Sequence, residues 1–452
     1  MPLSITRSGW RWMLVAALVA LLALAAACGD DDDDDDTGGA TTPAGEATTP
    51  GGDGEVDALL APFFPETGRI ALREALEQGI IDTFLFTDGT KSQAMFDDLG
   101  VENFEGMYGT APGAPNAEFT AAFEAAGGDP DAAYVREGYD AAYVIALAAV
   151  AANSLSGADI AANLRFVSNA PGEEIGFGPE EFARAVDLLE AGDDIDYVGA
   201  SGPVAFDVNG DLASGSVEVW KVEGGEVTFQ EARVSDLAES LGIDVPAGEL
   251  SRADTAPTDA LKIGSIMSIT GDLSDFGPNI QDAIDLAASE INEGGGVFGQ
   301  DVVIAAGDDG TNPEQGQSEA RRLIDVEGVS AIIGALSSGV TQPIAENVAA
   351  PADVLVISPA STAPAITTAV DNDLLFRTPI ADLAQGQVLG DLAIELGYDV
   401  VCVLYVNTPY GQGLSDKFTE VFEAAGGTVP AAVAVEQEQT TYVSELNECV
   451  GN

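Results

Sequence analysis

The chain has 452 residues, 46% hydrophobic and 20% charged, with 16 basic against 76 acidic side chains and a formal charge of −60. That length suits two or three domains with ample core, and the apolar content excludes a wholly disordered protein. The charge argues against nucleic acid as a partner, which needs clustered Lys and Arg; the lack of any histidine removes Ser-His-Asp hydrolysis and His-ligated metal sites.

At the amino terminus, Arg7 and Arg11 precede an apolar run from Trp12 to Ala27 that ends at Cys28. A basic flank, a short apolar stretch and small residues make an export signal over residues 1–27. The run falls short of the roughly 20 apolar residues of a membrane span. Leu24-Ala25-Ala26-Ala27-Cys28 resembles a bacterial lipobox, which implies lipidation of Cys28 and anchoring to a membrane outside the cytoplasm. An ordinary secretory signal with an incidental Cys is the alternative. Residues 28–54 hold Asp30 to Asp36 and a Thr/Gly/Pro/Ala-rich stretch, which reads as a solvated, self-repelling tether. The aspartate run lacks the spaced ligands and Gly turn of a calcium loop. So acidic a chain suits a salty environment that screens self-repulsion.

The remainder alternates strand and helix. Val56 to Ala61 and Ile81 to Phe86 read as strands, with Ile70 to Gln78 a helix between them and Tyr134 to Ala152 a long Ala-rich helix further on. Val204 to Phe206 and Val217 to Val222 suggest a hairpin about Asn209-Gly210. From Lys262 the alternation is clearer. Strands are expected at Ile263–Ile269, Val302–Ala306, Val329–Leu336, Val354–Ser358, Val400–Val406 and Val429–Val435. The helices between and after them cover Ile280–Ile291, Pro313–Val326, Val340–Val348, Leu414–Ala425 and Tyr442–Cys449. Such alternation implies doubly wound parallel sheets covered on both faces.

The last helix should lead into a strand, and that strand stands at the other end, at Val56–Ala61. Reading 262–452 before 55–235 restores an unbroken alternation, and residues 236–261 become a linker joining two former termini. The order is that of a circular permutant cut in an exposed loop; two unrelated halves or a rearranged gene are the alternatives.

In that order the chain resembles the leucine/isoleucine/valine-binding family, the type I periplasmic substrate-binding proteins of branched-chain amino-acid ABC transporters. The resemblance rests on GPNIQDAIDLAASEINEGGGVFG (277–299), DDGTNPEQ (308–315), GALSSGVTQP (334–343), SPASTAP (358–364), YGQGL (410–414), FPETGR (64–69), ALREALEQG (71–79) and SGPVAFDVNGD (201–211). It implies an α/β protein of two lobes joined by hinge crossovers. Its function would be capture of a branched-chain or other small amino acid and delivery to a membrane permease. It also implies that Ser338, Ala360 and Thr362 hold the ligand's α-carboxylate and ammonium, that Tyr410 closes over them, and that Asp88 pairs with the ammonium. Asp382 would assist indirectly, and Phe64 and Phe276 would form an apolar wall where relatives often carry tyrosines.

Ser337-Ser338-Gly339 and Pro359 to Thr362 follow strands and offer N–H groups and hydroxyls that suit a carboxylate. Ser338 and Thr362 also suit helix caps, Tyr410 and the two phenylalanines suit a core, and Asp88-Gly89 suits a plain turn. Gly294-Gly295-Gly296 follows a helix rather than a strand, which is the wrong context for a dinucleotide. No nucleophile elbow occurs, so no enzyme activity, cofactor or metal is expected. In an exported chain, Cys402 and Cys449 are either a disulfide or two buried thiols. A sensor of the same fold for amides, urea or related molecules is the alternative function, and a monomer or a half-exchanged dimer are the two assemblies.

Overall fold

The computed structural model describes residues 56–451, so the export signal, Cys28 and the tether to Gly54 lie outside the described residues. Two α/β lobes are built on a five-stranded and a seven-stranded sheet, and a third sheet joins the short strands Glu173–Ile175, Ile195–Gly199 and Gly202–Pro203. The five-stranded sheet runs, edge to edge, through Val303–Asp308, Lys262–Met267, Ala331–Gly334, Leu355–Ser358 and Leu375–Arg377, all parallel. The seven-stranded sheet runs through Ala432–Val435, Val401–Val406, Ala58–Ala61, Phe84–Phe86, Tyr108–Pro112, Ser214–Glu223 and Glu226–Asp236. Its first five strands are parallel and the last two form an antiparallel hairpin. This sheet is therefore mixed rather than parallel throughout.

The interior strands read as continuous apolar runs because both faces are covered. Ala58–Ala61 is fully buried, and so is Ala331–Gly334. The helix Gly277–Glu293 buries Ile280, Ala283, Ile284, Ala287, Ala288 and Ile291 on one face, as the spacing requires. It ends at Gly294, and Gly295 and Gly296 turn the chain at φ 114° and 68°. Its main partner is the helix Val135–Ala152, whose every residue is buried. That second helix also packs behind Ala331–Gly334 and Leu355–Ser358, and so belongs to the five-stranded lobe although it comes from the first half of the chain.

The expected hairpin about Asn209-Gly210 is corrected. Val217–Val222 pairs instead with Val227–Phe229 and its continuation, across a turn at Gly224 and Gly225, both at positive φ. Phe206 meets only Leu212, as an isolated bridge. The second half of the hairpin, EVTFQEARVSD, is largely exposed and carries too weak an apolar alternation to signal a strand.

Residues 236–261 do not hang as a slack loop. Asn163 holds Ser251 through two hydrogen bonds of 2.8 and 3.0 Å, Asn169 reaches the Pro246 carbonyl at 2.8 Å, and Arg252 donates to the Leu189 carbonyl at 2.6 Å. The segment is thereby fastened along the five-stranded lobe before it enters Lys262–Met267.

Candidate functional site

Open parallel sheets leave their carboxyl-terminal strand ends for ligands. Here the two sheets turn those ends toward one cavity of about 320 Å³, its mouth included. The five-stranded lobe supplies Leu273 and Phe276 from the loop after Lys262–Met267, Ile280 from the helix that follows, Leu336 and Ser338 after Ala331–Gly334, and Ala360 after Leu355–Ser358. The seven-stranded lobe supplies Phe64, Asp88, Gly89 and Tyr410, again just beyond strand ends. Tyr134 completes the wall from the start of Val135–Ala152.

Six of the eight residues singled out from sequence line this space: Phe64, Asp88, Phe276, Ser338, Ala360 and Tyr410. Thr362 and Asp382 lie behind it, fully buried and joined to each other by the Asp382 N–H on the Thr362 carbonyl at 2.9 Å. Burial pushes the Asp382 carboxyl far up, and the neighbouring Asp88 charge adds to this, while Thr362 and Arg377 work in the opposite sense.

Asp88 is the one charged residue on the wall. It opens a short turn, Asp88–Thr90, so the turn and the pocket readings hold together. Its carboxylate accepts from Tyr134 Oη at 2.5 Å, Gln385 Nε2 at 2.7 Å and Tyr410 Oη at 2.9 Å. Burial raises its pKa, and these three donors oppose the rise by favouring the ionised form. The Tyr410 hydroxyl is occupied in this network: it also meets Thr87 Oγ1 at 2.9 Å and accepts the Gly89 N–H at 3.2 Å. Tyr410 therefore turns its ring to the cavity, stacked on Phe64 with centroids 5.5 Å apart.

Ser338 Oγ accepts the Ala363 N–H at 3.3 Å, which leaves its own proton to donate. The rest of the wall is apolar, and the apolar contributors Leu273, Ile280 and Leu336 were missed because they read as ordinary core. Gly89 is required by crowding: a Cβ there would run into the Phe63 carbonyl oxygen and stand 2.9 Å from Tyr410 Oη. The arrangement offers an anion for a cationic group, a hydroxyl donor for an anionic one, and an aromatic and aliphatic lining between.

A family model described as periplasmic binding protein matches residues 260–449, and one described as receptor family ligand binding region matches residues 55–225. The chain is 37% identical over 158 residues to Leu/Ile/Val-binding protein homolog 1 of Brucella abortus, covering 34% of this chain and 41% of that one. It is 32% identical over 169 residues to Leu/Ile/Val-binding protein BraC3 of Rhizobium johnstonii, covering 37% and 45%. The matched stretch is thus less than half the length of these relatives. Among solved structures, the branched-chain amino acid transporter substrate-binding protein LivJ from Streptococcus pneumoniae, in complex with isoleucine, shares 27% identity with a TM-score of 0.38, covering 43% of this chain and 55% of that one.

Proposed function

The chain belongs to the type I periplasmic binding protein family, and from that premise we propose that it is an extracytoplasmic receptor that captures a small zwitterionic amino acid and presents it to an ABC permease. The observation that carries this reading is the cavity wall, where Asp88 is the only charged side chain and faces an otherwise apolar space with the Ser338 hydroxyl. A ligand with an ammonium meets Asp88; its carboxylate meets Ser338 and the loop of Ala360; an aliphatic side chain fills the lining of Leu273, Phe276, Ile280 and Leu336. A carboxylate ligand without an ammonium brings like charge toward Asp88 and lacks a basic partner on the wall. The names of the relatives, Leu/Ile/Val-binding, favour branched-chain side chains. The ligand touches both lobes only when they are together, so binding shifts the population toward the closed form.

Thermal-shift and calorimetric titration of residues 29–452 with the twenty amino acids, simple amides, urea and aromatic acids tests this. Ligand at a hundredfold its Kd should stabilise the protein by about 2.7 kcal/mol. Responses to leucine, isoleucine or valine support the reading; responses confined to amides, urea or aromatic acids replace it with a receptor of different specificity.

Two further proposals concern the ends of the chain. Lipidation of Cys28 is tested by mass spectrometry of the membrane fraction, with Cys28→Ala expected to release the protein. The rotated order of the halves is supported by two placements. Ala58–Ala61 lies in the sheet interior between Val401–Val406 and Phe84–Phe86, and the terminal helix Val443–Val450 packs beside Pro65–Glu77, where it would lead into that strand. A variant with 450 joined to 56 and the chain opened within 242–257 should fold with the same ligand response; failure to fold counts against it.

A further inference from the structure

Tyr134 stands at the start of Val135–Ala152 with φ 67° and ψ 6°, a left-handed conformation in which a bulky non-glycine residue is a genuine outlier. Such strain persists where the surroundings over-determine it, and it gathers at functional positions. The residue is 4% exposed, its ring forms part of the cavity wall, and its hydroxyl donates to Asp88 Oδ2 at 2.5 Å. The helix it opens packs on Gly277–Glu293 in the five-stranded lobe. Asp88 follows Phe84–Phe86 in the seven-stranded lobe, as do its other two donors, with Tyr410 on the helix after Val401–Val406 and Gln385 on the helix Asp382–Glu395 packed against Tyr108–Pro112.

We infer that Tyr134 is a trans-lobe positioning residue: it completes the hydrogen-bond set of Asp88 only when the lobes close, and so ties recognition of a ligand's ammonium to closure. The inference rests on the amino-acid reading above. Two donors hold the carboxylate from its own lobe in any state. The third comes from the other lobe, so the ionised, aimed form of Asp88 is fully stabilised only in the closed protein. The titratable groups facing Asp88 are Tyr134, Tyr410 and Asp382, with Arg377 beyond Asp382. Among them Tyr134 alone arrives from the opposite lobe as a donor to this carboxylate.

The test is Tyr134→Phe, which keeps the ring and the strained backbone, with leucine and its deaminated analogue 4-methylpentanoate as probes. Leucine affinity should fall about ten- to a hundredfold, the range for a lost hydrogen bond to a charged group, while 4-methylpentanoate should lose less, because a less ionised Asp88 repels its carboxylate less. Losing a donor to the carboxylate raises the pKa of Asp88, so the acid limb of leucine binding should move to higher pH. Equal losses for both probes, or no loss with an unmoved acid limb, overturn the inference. If the wild-type protein binds neither probe, the amino-acid reading has failed by itself. The inference is then decided in ligand-free protein by small-angle scattering, where a shift of Tyr134→Phe toward a more open form than wild type supports it and identical profiles end it.

Discussion

Thr67 and Asp272 clasp the two lobes: the Thr67 N–H and Oγ1 reach the Asp272 carboxylate at 2.7 and 2.6 Å. Thr67 lies in the first turn of Pro65–Glu77, and Asp272 in the loop after Lys262–Met267 that also carries the cavity residues Leu273 and Phe276. Gln437 adds a hydrogen bond of 3.1 Å to Asp272, and Arg69 pairs with Asp275 at 2.9 Å. One loop thus holds the cavity wall and the clasp together. Hydrogen bonds to charged groups contribute about 1.5–3 kcal/mol each. Thr67→Val should therefore weaken ligand binding about tenfold, through faster dissociation with an unchanged association rate. Stopped-flow kinetics checks this, and a slower association with normal dissociation would refute it.

Three buried carboxyls should make the protein more stable in mild acid than in base. Burial lifts Glu137 to about 7, Asp140 to about 6 and Asp309 to about 6. A carboxyl with a raised native pKa binds its proton more tightly folded than unfolded, so stability falls as pH rises from near 4 to near 7. For Glu137, whose Oε2 has no hydrogen-bond partner, the rise from 4.5 to about 7 corresponds to about 3 kcal/mol at most. Urea denaturation at pH 5 and pH 8 should show the loss, and Glu137→Gln should flatten it. Equal stabilities at the two pH values for wild type would refute this.

Cys402 in Val401–Val406 and Cys449 in Val443–Val450 form a disulfide with Cα atoms 5.7 Å apart and a sequence separation of 47. Closing a loop of that length restricts the unfolded chain by about 4 kcal/mol in the entropic picture. Reduction, or a Cys402→Ala, Cys449→Ala double variant, should lower the urea midpoint. The terminal helix should then lose hydrogen-exchange protection first, and uniform loss over both lobes would contradict that.

Gly89→Ala should abolish high-affinity binding while the fold survives. The added methyl pushes against the Phe63 carbonyl and the Tyr410 hydroxyl, displacing the turn that carries Asp88. A melting temperature within a few degrees of wild type together with lost binding is the expected pair of results; unaltered binding would show that the turn tolerates the shift.

The alternation of strands and helices was legible because interior strands and one-sided helices carry strong apolar periodicity. The eight motif stretches drew attention to strand ends, which is where six chosen residues meet. What escaped had physical causes. Leu273, Ile280 and Leu336 look like any core residue until two lobes are brought together. Tyr134 marks a helix start in sequence, but its left-handed backbone and its bond to Asp88 arise from contacts across 46 residues of chain. The hairpin partner of Val217–Val222 was hidden by an exposed strand whose alternation is weak.

The described chain enters the fold at Ala58, in the interior of the seven-stranded sheet, and leaves it from Val443–Val450, stapled to that same sheet. Entry and exit of the described chain therefore both fall on the seven-stranded lobe, and the five-stranded lobe is built from the chain between them.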